Sequence, residues 1–278
     1  MEHRSGYFAG AGGVQIFWQA WLPDGARRGV VTMAHGVSEH SGRYAWTGEQ
    51  LAARGYALYA LDHRGHGQSA GSRAVIDRVE NAVADLAELV SIAQAESPGH
   101  AKPFLFGHSM GGFLALAYTT RHQADIQGLL LSAPVAVLEA ASPVQRIAGH
   151  VLSVIAPKLG VFDIDSSTVS RDPQVVRDYD ADPLNFHGKL PARTVHEMAQ
   201  EIGRFPQSIG SITVPLLVQV GTADELVPPQ SSELVYEWAS SEDKTIKRYD
   251  GLFHEILNEP ERDAVVADMV AWLDERSA

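Results

Sequence analysis

The sequence of 278 residues contains no cysteine, which excludes disulfide bonds and thiolate metal sites. It also lacks any apolar run of the roughly 20 residues that a membrane-spanning helix needs. The amino terminus, MEHRSGYFAGAGG, has no apolar core of the kind found in secretory signals. We therefore expect a protein of the cytoplasm, or one held peripherally at the membrane or cell envelope, without a signal peptide or transmembrane segment.

Positive charge is also scarce. The chain has 22 Lys and Arg against 34 Asp and Glu, a net charge of −12, and its longest basic runs are pairs such as Arg27-Arg28. Nucleic-acid binding normally needs a basic face that displaces counterions from phosphates, so we exclude nucleic acid as a partner. The same charge argues against docking of the whole molecule on anionic lipid, although an apolar patch could still contact a membrane.

Motifs for metals and dinucleotides are missing as well. No pair of histidines has the helical spacing of a zinc site, and no G-x-G-x-x-G follows the first strand. We therefore expect neither a metal nor an organic cofactor.

What is present is an alternation of strand and helix patterns. Apolar runs typical of strands occupy residues 14–22, 29–36, 103–107, 128–134, 216–221 and 245–250, and residues 56–69 are predicted to form a strand followed by a glycine-rich turn. Helical patterns lie between them, the clearest at 74–96. This rhythm predicts an α/β fold with a mostly parallel central sheet and helices on both faces.

Residues 136–212 break the rhythm, and we interpret them as an inserted helical cap over a core formed by 1–135 and 213–278. Ser142-Pro143-Val144-Gln145 has the pattern of a helix start, and a second helix is predicted at 192–203. The first helix carries an apolar stripe of Val144, Ile147, Ala148, Val151, Leu152 and Ile155. Two interpretations of the stripe are open: it packs onto the core, or it faces a substrate entrance or a lipid surface.

The pentapeptide Gly107-His108-Ser109-Met110-Gly111 matches G-x-S-x-G, with the strand PFLF before it and a helical pattern after it. In that context a sharp strand-to-helix turn presents the serine as a nucleophile. The alternative is a glycine-rich turn with a bystander serine. The Met110 N–H at the helix start is one candidate donor to an oxyanion, and the Val37 N–H, after His35-Gly36, is the second.

A serine nucleophile needs a base, and the base needs an acid to orient it. In this class of turn the acid follows the serine and the histidine comes last. Asp224 lies just past the strand LLVQV, and His254 lies in the loop before the last helix. Asp250 also ends a strand, but it shares a short loop with His254, so we interpret it as a turn residue.

Several of these motifs together resemble the α/β-hydrolase fold family across essentially the whole chain: His35-Gly36, DHRGHGQS, GHSMGG, GTADELVP and FHE. HGVSEHSGRY and DHRGHGQSAG resemble the monoacylglycerol lipase branch, and GLFHEILNEPER resembles its bacterial, in particular mycobacterial, members. The resemblance implies a triad of Ser109, His254 and Asp224 and a cap that shapes an acyl tunnel.

The same resemblance implies oxyanion donors at Val37 and Met110, and places Glu39 and Arg43 near the glycerol moiety. It implies cleavage of monoacylglycerols to fatty acid and glycerol through an acyl-enzyme, with no cofactor or metal. The alternatives are a lysophospholipase or a general carboxylesterase with the same triad. Acyl-chain length, regioisomer preference and oligomeric state stay open, as does contact between the cap and a membrane.

Overall fold

The computed structural model describes residues 1–138 and 142–277. One sheet has the order β1-β2-β4-β3-β5-β6-β9-β10. The first two strands form an antiparallel hairpin, β2 pairs antiparallel with β4, and the rest of the sheet is parallel. Its strands are β1 (Glu2–Ala9), β2 (Gln15–Leu22), β3 (Gly29–Ala34), β4 (Tyr56–Leu61), β5 (Phe104–His108), β6 (Leu129–Ser132), β9 (Leu216–Gly221) and β10 (Lys244–Tyr249). The predicted mostly parallel sheet is confirmed.

Helices cover both faces of this sheet, as predicted. One apolar cluster contains residues of α2, α3 and α8, and the other contains residues of α1 and α9. The helices are α1 (Ala45–Ala53), α2 (Val79–Ala95), α3 (Met110–His122), α4 (Pro143–Ile155), α5 (Pro173–Ala181), α6 (Ala192–Ile202), α7 (Phe205–Ser208), α8 (Gln230–Trp238) and α9 (Arg262–Asp274). The central strands of the sheet are therefore covered by helices on both faces.

Helix α2 begins at Val79, so the predicted start at residue 74 is wrong. Arg78, directly before the helix, is extended, and the residues around it bond to the segment between β6 and β9. The Ile76 N–H donates to Thr194 Oγ1 at 2.9 Å, and the Val79 N–H donates to Glu197 Oε2 at 3.0 Å. A carboxylate from a distant helix thus caps α2, which no local pattern reveals.

The segment between β6 and β9 holds α4 to α7 and a short antiparallel pair, β7 (Gly160–Phe162) with β8 (Leu190–Pro191). The predicted helix start is confirmed, because the Ser142 and Gln145 side chains each accept from the other residue's backbone N–H. The helix predicted at 192–203 is α6. The structure describes neither Glu139 nor its next two residues, which belong to the predicted cap.

The apolar stripe of α4 faces outward. Val144 is 76% exposed, Ile147 67% and Ile155 73%, so the interpretation that the stripe packs onto the core is wrong. Val161 and Phe162 of β7 are exposed beside it. Within residues 1–138 and 142–277, no helix combines the length and apolar character needed to cross a bilayer.

The DHRGHG turn after β4 is anchored by a buried ion pair. Arg64 Nε and Nη2 donate to the two carboxylate oxygens of Asp85 on α2 at 2.8 and 2.9 Å. Asp85 also accepts from the Ala11 N–H at 2.8 Å. The pair therefore joins the turn, α2 and the β1–β2 hairpin.

We expect Arg64→Met to lower the free energy of unfolding by about 3–5 kcal/mol, because it leaves the Asp85 carboxylate buried without its partner. Urea unfolding followed by circular dichroism measures the change. The matched control is Arg78→Met, an exposed arginine that should change stability by less than about 0.5 kcal/mol. Equal unfolding midpoints for the two variants would contradict the anchoring role of Arg64.

Candidate active site

Ser109 lies on the sharp turn between β5 and α3. Its backbone angles are φ 54° and ψ −119°, a region that side-chain-bearing residues rarely adopt and that is found at functional sites. The first turn of α3 lies against the end of β3, so closely that a Cβ built on Gly111 would be 2.0 Å from the Ala34 carbonyl oxygen. The Met110 N–H is the first of α3 and has no acceptor within the helix.

The loop after β3 passes directly beside this serine. A Cβ built on Gly36 would lie 3.3 Å from Ser109 Cβ. The Gly36 N–H donates to Glu39 Oε1 at 2.5 Å, which fixes the turn just before Val37. The loop with the Val37 N–H and the start of α3 with the Met110 N–H therefore meet at one serine, the arrangement that a pair of oxyanion donors requires.

Three buried histidines hold this loop against the end of β4. The His63 N–H donates to His35 Nε2 at 3.0 Å, so the His35 proton is on Nδ1, where it can donate to the Gly36 carbonyl oxygen at 2.7 Å. His66 lies edge-on to His35, with ring centroids 5.5 Å apart. Burial lowers the pKa of His63 to about 3 and that of His66 to about 4, so both stay neutral. The contacts of all three therefore serve to hold the loop in place.

His254 and Asp224 are joined by a short hydrogen bond. His254 Nδ1 lies 2.7 Å from Asp224 Oδ2, while the Leu226 and Val227 N–H groups donate to Asp224 Oδ1, each at 2.9 Å. With Nδ1 protonated toward the carboxylate, Nε2 is left to accept a proton. Burial lowers the pKa of His254, but Asp224, together with smaller contributions from Glu255 and Glu39, more than offsets this, and the net pKa is raised.

His254 lies beside the serine turn. Its ring centroid is 4.8 Å from that of His108, the residue before Ser109. Burial, and to a lesser extent His254, lower the pKa of His108 to about 3, so this neighbour stays neutral. Ser109, Asp224 and His254 are each no more than 6% exposed. The structure thus places the predicted acid and base beside the turn that carries the predicted nucleophile.

Asp250, the other candidate for the acid, is not the carboxylate that His254 contacts in the structure. It is exposed and accepts a hydrogen bond from Thr222 Oγ1 at 3.2 Å. This is the turn position that its sequence context indicated.

Glu39 and Arg43 lie beneath the loop that carries Val37. Glu39 Oε1 accepts from the Gly36 N–H and from the Tyr44 hydroxyl, and Glu39 Oε2 accepts from Arg43 Nη1 at 2.8 Å. Burial raises the pKa of Glu39, although Arg43 opposes this. The partners that the structure records for these residues belong to the protein, and contact with a glycerol moiety stays a prediction.

Sequence reasoning missed two residues of this region. Glu255, directly after His254, binds Arg43 through both carboxylate oxygens, and the ring of Tyr179 on α5 covers the Arg43 guanidinium at 4.8 Å. The acidic residue in FHE was a visible signal for the first. No pattern marks Tyr179, because α5 is short and mostly polar.

The described residues contain no group of three or more histidine, aspartate or glutamate side chains that could hold a metal ion.

Comparisons with known proteins agree with the geometry. The model of the Hydrolase_4 family, described as "Serine aminopeptidase, S33", matches residues 25–261. The chain is 42% identical over 267 residues to the monoacylglycerol lipase of Mycolicibacterium smegmatis, covering 96% of this chain and 95% of that protein. It is 33% identical over 276 residues to the monoglyceride lipase of Homo sapiens, covering 98% and 91%.

A solved structure shows the same fold. The crystal structure of the Paleococcus ferrophilus monoacylglycerol lipase superposes with a TM-score of 0.82 at 30% identity, covering 99% of this chain and all of that chain. The α/β-hydrolase fold expected from the motifs is therefore confirmed, as is the resemblance to mycobacterial monoacylglycerol lipases.

We expect Ser109→Ala and His254→Ala each to reduce turnover of a soluble p-nitrophenyl ester about 10⁶-fold, because nucleophile and base act as one unit. Asp224→Asn should cost about 10⁴-fold, because the imidazole then adopts the wrong tautomer. Initial rates against enzyme concentration measure these losses. Asp250→Asn is the matched control and should retain full turnover; an active Asp224→Asn enzyme would refute the assigned acid.

Proposed function

Since one family model spans most of its length, the chain belongs to the Hydrolase_4 family, and we propose that it is a monoacylglycerol lipase. The observation that carries the proposal is the pairing of His254 with Asp224 beside the Ser109 turn, in a chain 42% identical to a monoacylglycerol lipase over nearly its full length. The products are a free fatty acid and glycerol.

The reaction proceeds through an acyl-enzyme on Ser109. His254 Nε2 accepts the Ser109 hydroxyl proton as the oxygen attacks the ester carbonyl carbon, and the oxyanion accepts from the Val37 and Met110 N–H groups. The carbon–oxygen bond to glycerol breaks, and glycerol leaves with the proton from His254. Water then attacks the acyl-enzyme, His254 accepts its proton and returns one to Ser109, and the fatty acid is released.

Asp224 stabilises the imidazolium that forms in each step and keeps Nδ1 as the donor. The raised pKa of His254 reflects this stabilisation. The two backbone donors to Asp224 Oδ1 keep the carboxylate oriented toward His254.

Residues 136–212 act as the cap over this site and shape the acyl tunnel. Three contacts attach its middle part to the catalytic loops. The Phe186 N–H donates to the Ser38 carbonyl oxygen at 2.9 Å, His40 Nε2 lies 2.9 Å from Asp182 Oδ2, and the Glu255 N–H donates to the Val169 carbonyl oxygen at 2.8 Å. Glu39 and Arg43 lie at the glycerol end in this assignment.

We expect kcat/KM for monoacylglycerols to rise with acyl length by about 0.8 kcal/mol, or roughly fourfold, per methylene until the tunnel is filled. Glycerol release from saturated monoacylglycerols of graded length measures it, with diacylglycerol, triacylglycerol and a lysophospholipid alongside. Ser109→Ala is the control for each substrate. A flat profile with cleavage of short esters alone would indicate a general carboxylesterase, and preferred cleavage of the lysophospholipid a lysophospholipase.

The outward face of the cap meets a lipid surface in this proposal. Val144, Ile147 and Ile155 present an apolar face without charge of their own. Residues 136–212 hold seven Lys and Arg against nine Asp and Glu, so they carry only −2 of the net −12. This part of the molecule is therefore the least repelled by anionic lipid, and its apolar side chains gain from leaving water.

We expect Ile147→Ser combined with Val151→Ser to weaken binding to phosphatidylcholine vesicles at least about tenfold, because each buried aliphatic side chain contributes about 1.5–3 kcal/mol. Vesicle co-sedimentation measures binding, and turnover of a dispersed short-chain ester should be unchanged. Tyr7→Ser is the matched control, since Tyr7 is an exposed apolar residue on β1. Unchanged vesicle binding of the double variant would contradict lipid contact through α4.

A further inference from the structure

Two carboxylates share one guanidinium beneath the active site. Arg43 Nη1 and Nη2 donate to Glu255 Oε1 and Oε2 at 2.6 and 2.7 Å, and Arg43 Nη1 also donates to Glu39 Oε2 at 2.8 Å. Glu39 and Glu255 are no more than 5% exposed. Such a paired, hydrogen-bonded geometry holds planar groups in a fixed relation, which an exposed ion pair does not do.

The three residues connect the two loops on which hydrolysis depends. At one end, Glu39 Oε1 accepts from the Gly36 N–H, next to Val37. At the other end, Glu255 is the immediate neighbour of His254 and also accepts from Asn258 Nδ2 at 2.9 Å. A continuous chain of charged hydrogen bonds therefore runs from the oxyanion loop to the loop of the base.

The cap closes over this chain of bonds. The Tyr179 ring lies over the Arg43 guanidinium, which shields the ion pairs from water. The Glu255 N–H is bound by the Val169 carbonyl oxygen on the same side. The position of Glu255 is thus determined by the cap as well as by Arg43.

The cluster also holds more carboxylates than guanidinium groups. Every recorded partner of the Glu39 and Glu255 carboxylates is a donor, which favours their ionised forms, and two carboxylates face one Arg43, although burial raises the pKa of Glu39. Burial disfavours the charged form of Glu255, but Arg43 more than offsets this and holds its pKa below the usual range. Arg43 therefore holds Glu255, the neighbour of His254, in its ionised form.

The pKa of His254 depends on this cluster and on the other groups around the imidazole. Asp224 on the loop after β9, Glu255 beside it and Glu39 below the oxyanion loop favour its protonated form, whereas burial opposes it. His108 on the serine turn is neutral, with a pKa of about 3. Removing one carboxylate from the cluster should therefore lower the pKa of His254.

We propose that Glu255 is a positioning residue of the hydrolytic site: through Arg43 and Glu39 it holds the oxyanion loop and the loop of the base in one fixed arrangement, and its charge supports the imidazolium that forms during catalysis. The inference rests on the proposed serine-hydrolase function. It makes hydrolysis depend on a side chain that need not touch the substrate, because a small misplacement of the reacting groups costs rate steeply.

The test compares two substitutions that separate charge from geometry. Glu255→Gln keeps the shape and removes the charge, and Glu255→Asp keeps the charge but is too short for both bonds to Arg43. We expect each to lower the plateau of kcat/KM for p-nitrophenyl butyrate about 10²-fold. Only Glu255→Gln should move the acid limb of the pH profile to lower pH, because only it lowers the pKa of His254.

Glu261→Gln is the matched control, an exposed glutamate of the same region that pairs with Arg171. It should keep both the plateau and the acid limb of the wild type. Circular dichroism checks the fold of each variant. If Glu255→Gln does not fold, Glu39→Gln removes the other carboxylate of the cluster and should shift the acid limb in the same direction.

Wild-type plateaus in Glu255→Gln and Glu255→Asp would overturn the positioning role. A lowered plateau with an unmoved acid limb in the folded Glu255→Gln enzyme would overturn the charge effect and leave a structural carboxylate. Failure of the proposed function has a different signature: the wild-type enzyme itself would not hydrolyse the ester, or would do so equally well as Ser109→Ala.

Discussion

The close approach of the first turn of α3 to the end of β3 is the constraint on which the catalytic edge depends. There is no room at Gly111 for a side chain, because a Cβ would lie 2.0 Å from the Ala34 carbonyl oxygen. At the same turn Ser109 adopts its strained conformation, and the loop after β3 lies alongside it. Buried apolar packing on both faces of the sheet offsets the free-energy cost of this strained backbone at Ser109, the proposed nucleophile.

The other side chains near Ser109 come from distant parts of the chain. They are largely buried and are held in place by polar contacts. Asp224 is oriented by two backbone donors, and His254 by Asp224. Glu255 and Arg43 then connect the loop of His254, through Glu39, to the loop that carries Val37. In a low-dielectric interior such networks are strong when every member is satisfied, and they specify one geometry. Tyr179 and Val169, from the segment between β6 and β9, also contact this network.

Much of the fold, and the position of Asp224 and His254 beside the Ser109 turn, could be predicted because their signals are local. The strand before Ser109 and the helix after it, the alternation of apolar runs, and the ordering of Asp224 and His254 all appear in the sequence. The start of α2 could not be predicted, because it is set by Thr194 and Glu197 from a separate segment. The direction of the α4 stripe was ambiguous for a related reason: periodicity shows that a face is apolar, but not what lies opposite it. Arg43 and Glu255 are more than two hundred residues apart in the sequence, so no spacing pattern could predict their ion pair.

The most direct test of the account is whether Ser109 alone forms the covalent bond on which turnover depends. The protein would be titrated with an alkyl fluorophosphonate, and the adduct located by peptide mass spectrometry while glycerol release from a monoacylglycerol is followed. The account predicts one adduct per chain, on the peptide that carries Ser109, with activity lost in proportion to labelling. Full activity in chains modified at Ser109, or loss of activity through an adduct elsewhere, would contradict it.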